Sequence, residues 1–211
     1  MQEQALPSGV YCKIIFETFN GRAMGSKGDA NRRRIVDAAD QLFYRQGYNR
    51  TSFSDIAQAA ELSRGNFYYY FKSKDEILSA VIQRRREGIV GMLAEWSRGA
   101  ASPRERLRRF VQMLLNNRDD LLRYGCPIGS LTLELAKTQR EQRAEAGAVF
   151  EVFRAWLAAQ FAELGHVEDA DELACHLLVL GQGVSLLATV YADTALIERE
   201  VARIDAWLGG L

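Results

Sequence analysis

The side chains best suited to contact another molecule lie in one short segment, Arg64-Gly65-Asn66 followed by Tyr69. Arginine and asparagine carry hydrogen-bond donors whose patterns suit guanine and adenine edges, respectively, in the major groove of a duplex. Gly65 lacks a side chain, so the start of a helix can approach a backbone closely there. The segment therefore predicts a short helix that reads base edges, with Arg64, Asn66 and Tyr69 as its specificity residues.

Such a helix needs a rigid support, and the flanking sequence indicates how it is supported. Ser52 and Asp55 have the spacing of a capping box that starts one short helix, and Ser63 can cap the next. Glu61-Leu62 makes a tight turn between them. Two short helices across a tight turn predict a helix-turn-helix. Its apolar brace is predicted to comprise Ile56, Ala57, Leu62, Phe67 and Phe71.

The rest of the chain has the pattern of a helical protein, since only three prolines interrupt it. A helix over 31–46 ends at Gly47, and Ser73 with Glu76 starts a long helix that links the motif to the remainder. We therefore predict an all-α protein in which an N-terminal three-helix DNA-binding domain is followed by a larger helical bundle. Helices of the bundle are predicted at about 103–117, 127–143, 145–164, 170–191 and 194–208.

The charge is distributed unevenly along the chain. Residues 24–86 hold 12 Lys and Arg against 7 Asp and Glu, whereas residues 87–211 hold 13 against 18, so charges of +5 and −5 cancel. A basic N-terminal part predicts a polyanionic partner, because cationic side chains release counterions condensed on DNA.

Several functional classes are excluded by what the sequence lacks. The two histidines, His166 and His176, are not set among residues that would make a catalytic site, so we expect no enzyme and no catalytic residue. Cys12, Cys126 and Cys175 are too scattered for a zinc site or a disulfide framework. We therefore expect no metal and no cofactor.

The sequence also predicts a cytoplasmic protein. Its first residues lack the basic start of a secretory signal, and no run of 18 apolar residues occurs, so we expect no membrane association. Residues 1–23 fit poorly with the helical pattern that begins after Met24, which predicts an extension that is disordered or not native. The predicted domains are then 24–75, the helix-turn-helix domain, and 76–211, the larger helical domain.

The stretch 51–78 closely resembles the signature of the TetR family of transcription regulators. The matching positions are Thr51-Ser52, Ile56-Ala57, Ser63, Gly65, Tyr68, Phe71, Lys74 and Ile77. Two positions depart from the family pattern, since Glu61 stands where many relatives have glycine and Tyr70 stands where a histidine is often seen. The resemblance implies that Thr51, Tyr68 and Lys74 hold DNA phosphates. The full set of predicted DNA contacts is Thr51, Ser52, Arg64, Gly65, Asn66, Tyr68, Tyr69, Lys72 and Lys74.

The resemblance also implies a homodimer that pairs through its last two long helices, as the reading of symmetric half-sites requires. Two stripes of apolar and small residues at helical spacing are the candidate interface. The interface is predicted to comprise Leu177, Gly181, Val184, Ser185, Ala188, Ile197, Val201, Ile204 and Leu208.

A small-molecule effector of unknown identity is a further implication, because family members change their affinity for operator DNA by a shift between conformations. Repression is the usual mode of the family. The candidate pocket residues are Trp96, Phe110, Met113, Phe150, Phe153, Trp156 and Gln182. The alternative to a DNA-binding regulator is a helical adaptor that binds protein, and steep salt dependence of DNA binding would discriminate between the two.

The segment Gly125-Cys126-Pro127 is the most distinctive feature of the C-terminal part. Pro127 predicts the first residue of a helix, which makes Cys126 its cap. A thiol at the positive end of a helix dipole is more reactive because the thiolate is favoured there. Some thiol-sensing members of the family have a similar element, so Cys126 is either a sensor of electrophiles or oxidants or a structural cap.

Overall fold

The computed structural model describes the backbone of residues 27–138 and 140–211, and the side chains of the same residues other than 27, 64, 138, 140 and 141. All regular structure in this part of the chain is helical, which confirms the predicted fold class. The predicted extension, residues 1–23, and Cys12 lie outside the described residues. The helices are α1 Lys27–Gln46, α2 Phe53–Ala59, α3 Arg64–Tyr70, α4 Lys74–Gly99, α5 Pro103–Asn116, α6 Arg118–Tyr124, α7 Pro127–Thr138, α8 Arg140–Glu163, α9 Ala170–Tyr191 and α10 Thr194–Gly210.

The described residues form two compact units. Unit 1 comprises residues 27–87 and 126–153, and unit 2 comprises residues 88–125 and 154–211. Compactness thus groups α7 and the first part of α8 with the helix-turn-helix, whereas the sequence assigned them to the larger domain. The domain boundaries predicted from the sequence, 24–75 and 76–211, describe segments that fold independently. Compactness does not test that property, so these boundaries stay predictions.

Local capping signals explain where the short helices begin. The Asp55 amide donates to Ser52 Oγ at 3.1 Å and the Ser52 amide donates to Asp55 Oδ2 at 2.8 Å, which confirms the predicted capping box. Ser63 precedes α3 as predicted, but its side chain makes no capping hydrogen bond. Ser102 caps α5 immediately before Pro103, the first residue of that helix.

The middle of the chain contains one more helix than the sequence predicted. The short helix α6 was missed, and it ends at Gly125, where φ is +76°. Glycine adopts this backbone conformation without the steric cost that a Cβ would add, so it stops a helix sharply. Helix α7 ends at Thr138 rather than near residue 143.

Each unit has its own apolar core. In unit 1, Ile35, Ile56 and Ile77 are fully buried, and Phe67 packs edge-to-face on Phe53 with ring centroids 5.1 Å apart. In unit 2, α10 packs against α5 and α9 packs against α6 and α10.

One described helix, α9, is long and apolar enough to cross a membrane by length and composition alone. The expectation from uninterrupted apolar runs, that no such helix exists, was too strict. A single helix of this kind is weak evidence for a membrane because core helices of soluble proteins meet the same criteria, and Ala174 and Leu177 of α9 are buried inside the chain.

Candidate nucleic-acid interface

Helix α3 presents polar and aromatic side chains to solvent. Asn66 is exposed and Tyr69 exposes 76% of its surface, while Phe67 between them is buried. A Cβ added to Gly65 would meet nothing within 4 Å, so no contact inside the chain requires glycine there. Arg64 begins α3, but its side chain lies outside the described residues. An exposed polar face on a short, well-supported helix is what base reading in a groove requires.

The predicted brace behind α3 is present in the core. Ile56, Ala57, Phe67 and Phe71 are buried, and Leu62 is half-buried. Because these residues come from α2, the turn and α3, their packing fixes α3 relative to α2.

The aromatic residues of α3 have different surroundings. Tyr68 stacks on Phe53 with a centroid distance of 5.5 Å and an interplanar angle of 15°, and about half of its surface remains exposed. Tyr70 accepts a hydrogen bond from Asn31 Nδ2 at 3.2 Å. The tyrosine that stands in place of the family's histidine therefore ties α3 to α1.

Two residues expected to hold phosphates are engaged within the chain. Thr51 is only 1% exposed, and its hydroxyl donates to the Gly47 carbonyl at 2.7 Å. Lys74 Nζ donates to the carbonyls of Tyr48 at 3.0 Å and Thr51 at 3.1 Å, and it lies 4.1 Å from the centroid of the Tyr48 ring. Both side chains therefore stabilise the connection between α1 and α2.

Two other predicted DNA contacts are accessible. Ser52 is exposed while it caps α2, and Lys72 is exposed after the end of α3. Lys72 Nζ donates to the Tyr68 carbonyl at 2.6 Å, which holds the ammonium group beside α3.

Glu61 occupies the turn between the two short helices with φ of +51°, a left-handed conformation that favours glycine. Its carboxylate lies 3.2 Å from Arg34 Nη2 of α1, and both side chains are largely exposed. The family's usual glycine would relieve the backbone strain, whereas Glu61 adds a tether to α1.

Two carboxyl groups in unit 1 have shifted pKa values for different reasons. The hydrogen bond from the Ser52 amide, followed by that from the Ser52 hydroxyl, lowers the pKa of Asp55. Burial raises the pKa of Asp37, and the nearby Arg84 guanidinium opposes that shift.

A buried ion pair joins three helices of unit 1. Arg85 is 4% exposed and Asp40 is 6% exposed. Arg85 Nε donates to Asp40 Oδ1 at 2.6 Å, and Arg85 Nη1 donates to the Pro127 carbonyl at 2.6 Å. Because Asp40 lies in α1, Arg85 in α4 and Pro127 in α7, this one guanidinium connects all three.

A carboxylate that was not predicted from the sequence binds next to the helix-turn-helix. Glu134 of α7 accepts the backbone amides of Tyr48 at 2.9 Å and Asn49 at 2.8 Å. No local pattern could have identified this contact, since 85 residues separate Asn49 from Glu134.

The candidate effector residues are divided between the two units. Trp96 and Trp156 of unit 2 pack edge-to-face with centroids 5.9 Å apart, and Trp156 Nε1 donates to Ser97 Oγ at 2.9 Å. Phe110 lies 3.8 Å from the position that a Cβ on Gly181 would occupy, also within unit 2. Met113 and Gln182 belong to unit 2, whereas Cys126, Phe150 and Phe153 belong to unit 1.

The candidate dimer residues are buried within the single chain. Leu177, Gly181, Val184, Ser185 and Ala188 of α9 all face the interior. The four residues of α10 are equally buried, and they are Ile197, Val201, Ile204 and Leu208. These stripes therefore form the core of unit 2. The apolar side chains that α9 exposes are Val179, Leu186, Leu187, Val190 and Tyr191.

Cys126 precedes the first residue of α7, as predicted. Its Sγ accepts the Gly129 amide at 3.4 Å, the geometry of a helix cap. The thiol is half-buried, and the carbonyl of the same residue accepts the Ser130 amide at 2.8 Å. The thiol of Cys126 therefore caps the start of α7.

An exposed polar face on a short, braced helix, followed by a helical C-terminal part, is the arrangement of a DNA-binding transcription regulator. Two family models match the chain. A model described as bacterial regulatory proteins of the tetR family matches residues 35–81, and a model described as the C-terminal domain of LmrA/YxaF-like transcriptional regulators matches residues 103–202. The chain belongs to the TetR family.

Individual relatives agree with this assignment. An uncharacterised HTH-type transcriptional regulator from Lactococcus lactis is 29% identical over 173 residues, covering 78% of this chain and 86% of the relative. The repressor DhaR of Mycobacterium sp. strain GP1 is 28% identical over 121 residues, 57% of this chain and 60% of DhaR. The crystal structure of a TetR transcriptional regulator from Legionella pneumophila is 26% identical, with a TM-score of 0.74, and covers 88% of this chain and 98% of that one.

Proposed function

We propose that the chain is a cytoplasmic repressor that binds operator DNA as a homodimer and is released by a small-molecule effector. The observation that carries the proposal is the exposure of Asn66 and Tyr69 on a short helix whose inner face is buried. With Arg64, these residues read base edges, and Gly65 lets the backbone approach the groove. The relative DhaR is named as a repressor, which supports that mode of action.

Phosphate contacts fix the register of the reading helix without specifying sequence. We assign them to the exposed Ser52, Tyr68 and Lys72. In this proposal Thr51 and Lys74 act indirectly, because their polar groups hold the backbone that leads into α2.

Operator binding is expected to be sequence-specific and to weaken steeply with salt. Asn66→Ala should cost about 1–3 kcal/mol of binding free energy and relax specificity at one base pair. Lys72→Ala should weaken binding to every sequence and reduce the salt slope by about one. Fluorescence anisotropy over a salt series, with the DNA upstream of the protein's own gene as probe, measures both effects. Failure of the wild-type protein to bind any such fragment at low salt would favour the protein-binding adaptor.

We place the dimer interface on the exposed face of α9. Val179, Gly183, Leu186 and Val190 recur at spacings of three and four residues, so they share one side of the helix. A run of exposed apolar side chains is typical of an association surface, and glycine in its middle allows a second helix to approach closely.

A thiol-sensing role for Cys126 adds to this proposal because the thiol caps α7, whose carbonyl at Pro127 is bound by the buried Arg85. Alkylation of Sγ would remove the acceptor that holds the Gly129 amide. Operator release by N-ethylmaleimide should therefore need at least about tenfold more reagent in Cys126→Ser, whose hydroxyl keeps the cap but reacts slowly. Cys175→Ser, which changes an exposed thiol, is the matched control. If the wild-type protein and both variants release the operator at the same N-ethylmaleimide concentration, Cys126 is a structural cap and not a sensor.

A further inference from the structure

In the turn that joins α1 to α2, residues 47–51, the two amides after Gly47 are bound by one carboxylate. Glu134 Oε2 accepts the Tyr48 amide at 2.9 Å and Glu134 Oε1 accepts the Asn49 amide at 2.8 Å. Hydrogen bonds to an ionised acceptor are about twice as strong as those between neutral groups. Each oxygen of Glu134 thus has its own backbone donor, and both donors belong to the same turn.

Gly47 provides independent support for this arrangement. Its φ is +89°, and a Cβ at this position would lie 3.1 Å from Glu134 Oε2 and 3.3 Å from Oε1. The absence of a side chain therefore lets the carboxylate reach the two successive amides that follow. Consecutive amides after a residue with positive φ form a concavity that binds anions. The turn thus has the geometry of an anion site, and Glu134 is the anion.

The same turn leads directly into the helix-turn-helix. Lys74 Nζ binds the carbonyls of Tyr48 and Thr51, and Ser52, the next residue, caps α2. The Tyr48 and Asn49 amides are therefore bound by a side chain of α7, whereas the Tyr48 and Thr51 carbonyls are bound by a side chain at the start of α4. The position of α2, and of α3 braced on it, depends on both.

We propose that Glu134 is a positioning residue through which α7 controls the conformation of the helix-turn-helix. The proposal rests on the DNA-binding function proposed above and adds the contact by which α7 acts on it. Any change that moves α7 relative to α1 moves the Glu134 carboxylate away from the turn. The DNA-binding conformation then loses the contact that orders residues 48 and 49.

The direction in which operator affinity changes when Glu134 is substituted distinguishes a positioning role from a purely electrostatic one. Removing a negative charge from a DNA-binding unit should tighten its binding to a polyanion. Loss of positioning should weaken it. Glutamine at residue 134 preserves the size of the side chain, but it replaces one acceptor oxygen with an NH2 donor. That NH2 group cannot bind a backbone N–H, so the variant can accept only one of the two hydrogen bonds.

The test compares Glu134→Gln with Glu145→Gln in the full-length protein. Glu145 is an exposed residue of unit 1 that accepts a hydrogen bond from Ser79 Oγ at 2.9 Å, so its substitution removes the same charge from a side chain that also joins two helices. We expect operator affinity to fall about tenfold in Glu134→Gln with an unchanged salt slope. In Glu145→Gln we expect affinity equal to or slightly above that of the wild-type protein.

Hydrogen exchange provides a readout that does not depend on DNA. The Tyr48 and Asn49 amides should be protected in the wild-type protein and in Glu145→Gln, and should exchange at least about tenfold faster in Glu134→Gln. Circular dichroism checks that both variants are folded. Operator affinity in Glu134→Gln equal to that of Glu145→Gln, or unprotected amides in the wild-type protein, would overturn the proposal. Protected amides in a wild-type protein that binds no DNA would instead contradict the proposed function alone.

Discussion

Arg85→Ala is expected to destabilise the protein by about 3–5 kcal/mol, the largest stability effect of any single substitution proposed for this chain. Asp40 is only 6% exposed, and the substitution removes the guanidinium that binds its carboxylate at 2.6 Å. It also leaves the Pro127 carbonyl without the Nη1 donor. An uncompensated buried charge costs several kcal/mol because its hydration is not replaced. Urea unfolding measures the change.

The control for this prediction is Arg86→Ala, since Arg86 is the exposed neighbour and its loss should change the free energy of unfolding by less than about 0.5 kcal/mol. The double variant Asp40→Leu with Arg85→Met should recover part of the lost stability, because no charge is then buried alone. A cost below about 1 kcal/mol for Arg85→Ala would contradict the buried ion pair.

Leu186→Glu combined with Val190→Glu is expected to convert the dimer to a monomer and to reduce operator affinity at least about a hundredfold. Two half-sites bound by one dimer share a high effective concentration, which separate monomers lose. The new carboxylates would be buried against those of the partner, which is costly for unpaired charges. Light scattering after size exclusion measures the mass, and anisotropy measures the affinity.

Val167→Glu provides the matched control, because Val167 lies between α8 and α9 and is 73% exposed, comparable to 61% for Leu186. It introduces one exposed carboxylate outside the proposed interface and should leave both mass and affinity unchanged. A dimer that persists in the double variant would place the interface elsewhere.

Local signals made the reading motif predictable from the sequence. Ser52 and Asp55 cap α2 through bonds between residues three apart, and the buried spacing of Ile56, Phe67 and Phe71 is set by the same short stretch. Capping and helical periodicity act over one or two turns, so a single sequence contains them. The short helix α6 was missed because Gly125 ends it after only two turns.

Periodicity alone cannot distinguish an apolar stripe of the core from one of a dimer interface. It correctly indicated that Leu177 and Ile197 face apolar partners, but it does not tell whether a partner belongs to the same chain or to a second copy. Both residues are buried by their own chain. Likewise, the internal roles of Thr51 and Lys74 depend on the folding of the turn between α1 and α2, and the contact with Glu134 depends on residues brought together from distant parts of the sequence.

The assembly of unit 1 from two separate stretches of chain limits how this regulator can be recombined with its relatives. A chimera that exchanges only residues 27–87 would bring a foreign turn to Glu134 and a foreign residue at position 85 to the Pro127 carbonyl, so the exchanged helix-turn-helix would lose contacts that support it. Carrying residues 126–153 along with the N-terminal stretch preserves both attachments. The part of this chain that supports the helix-turn-helix is therefore discontinuous in sequence, and its two pieces have to be exchanged together.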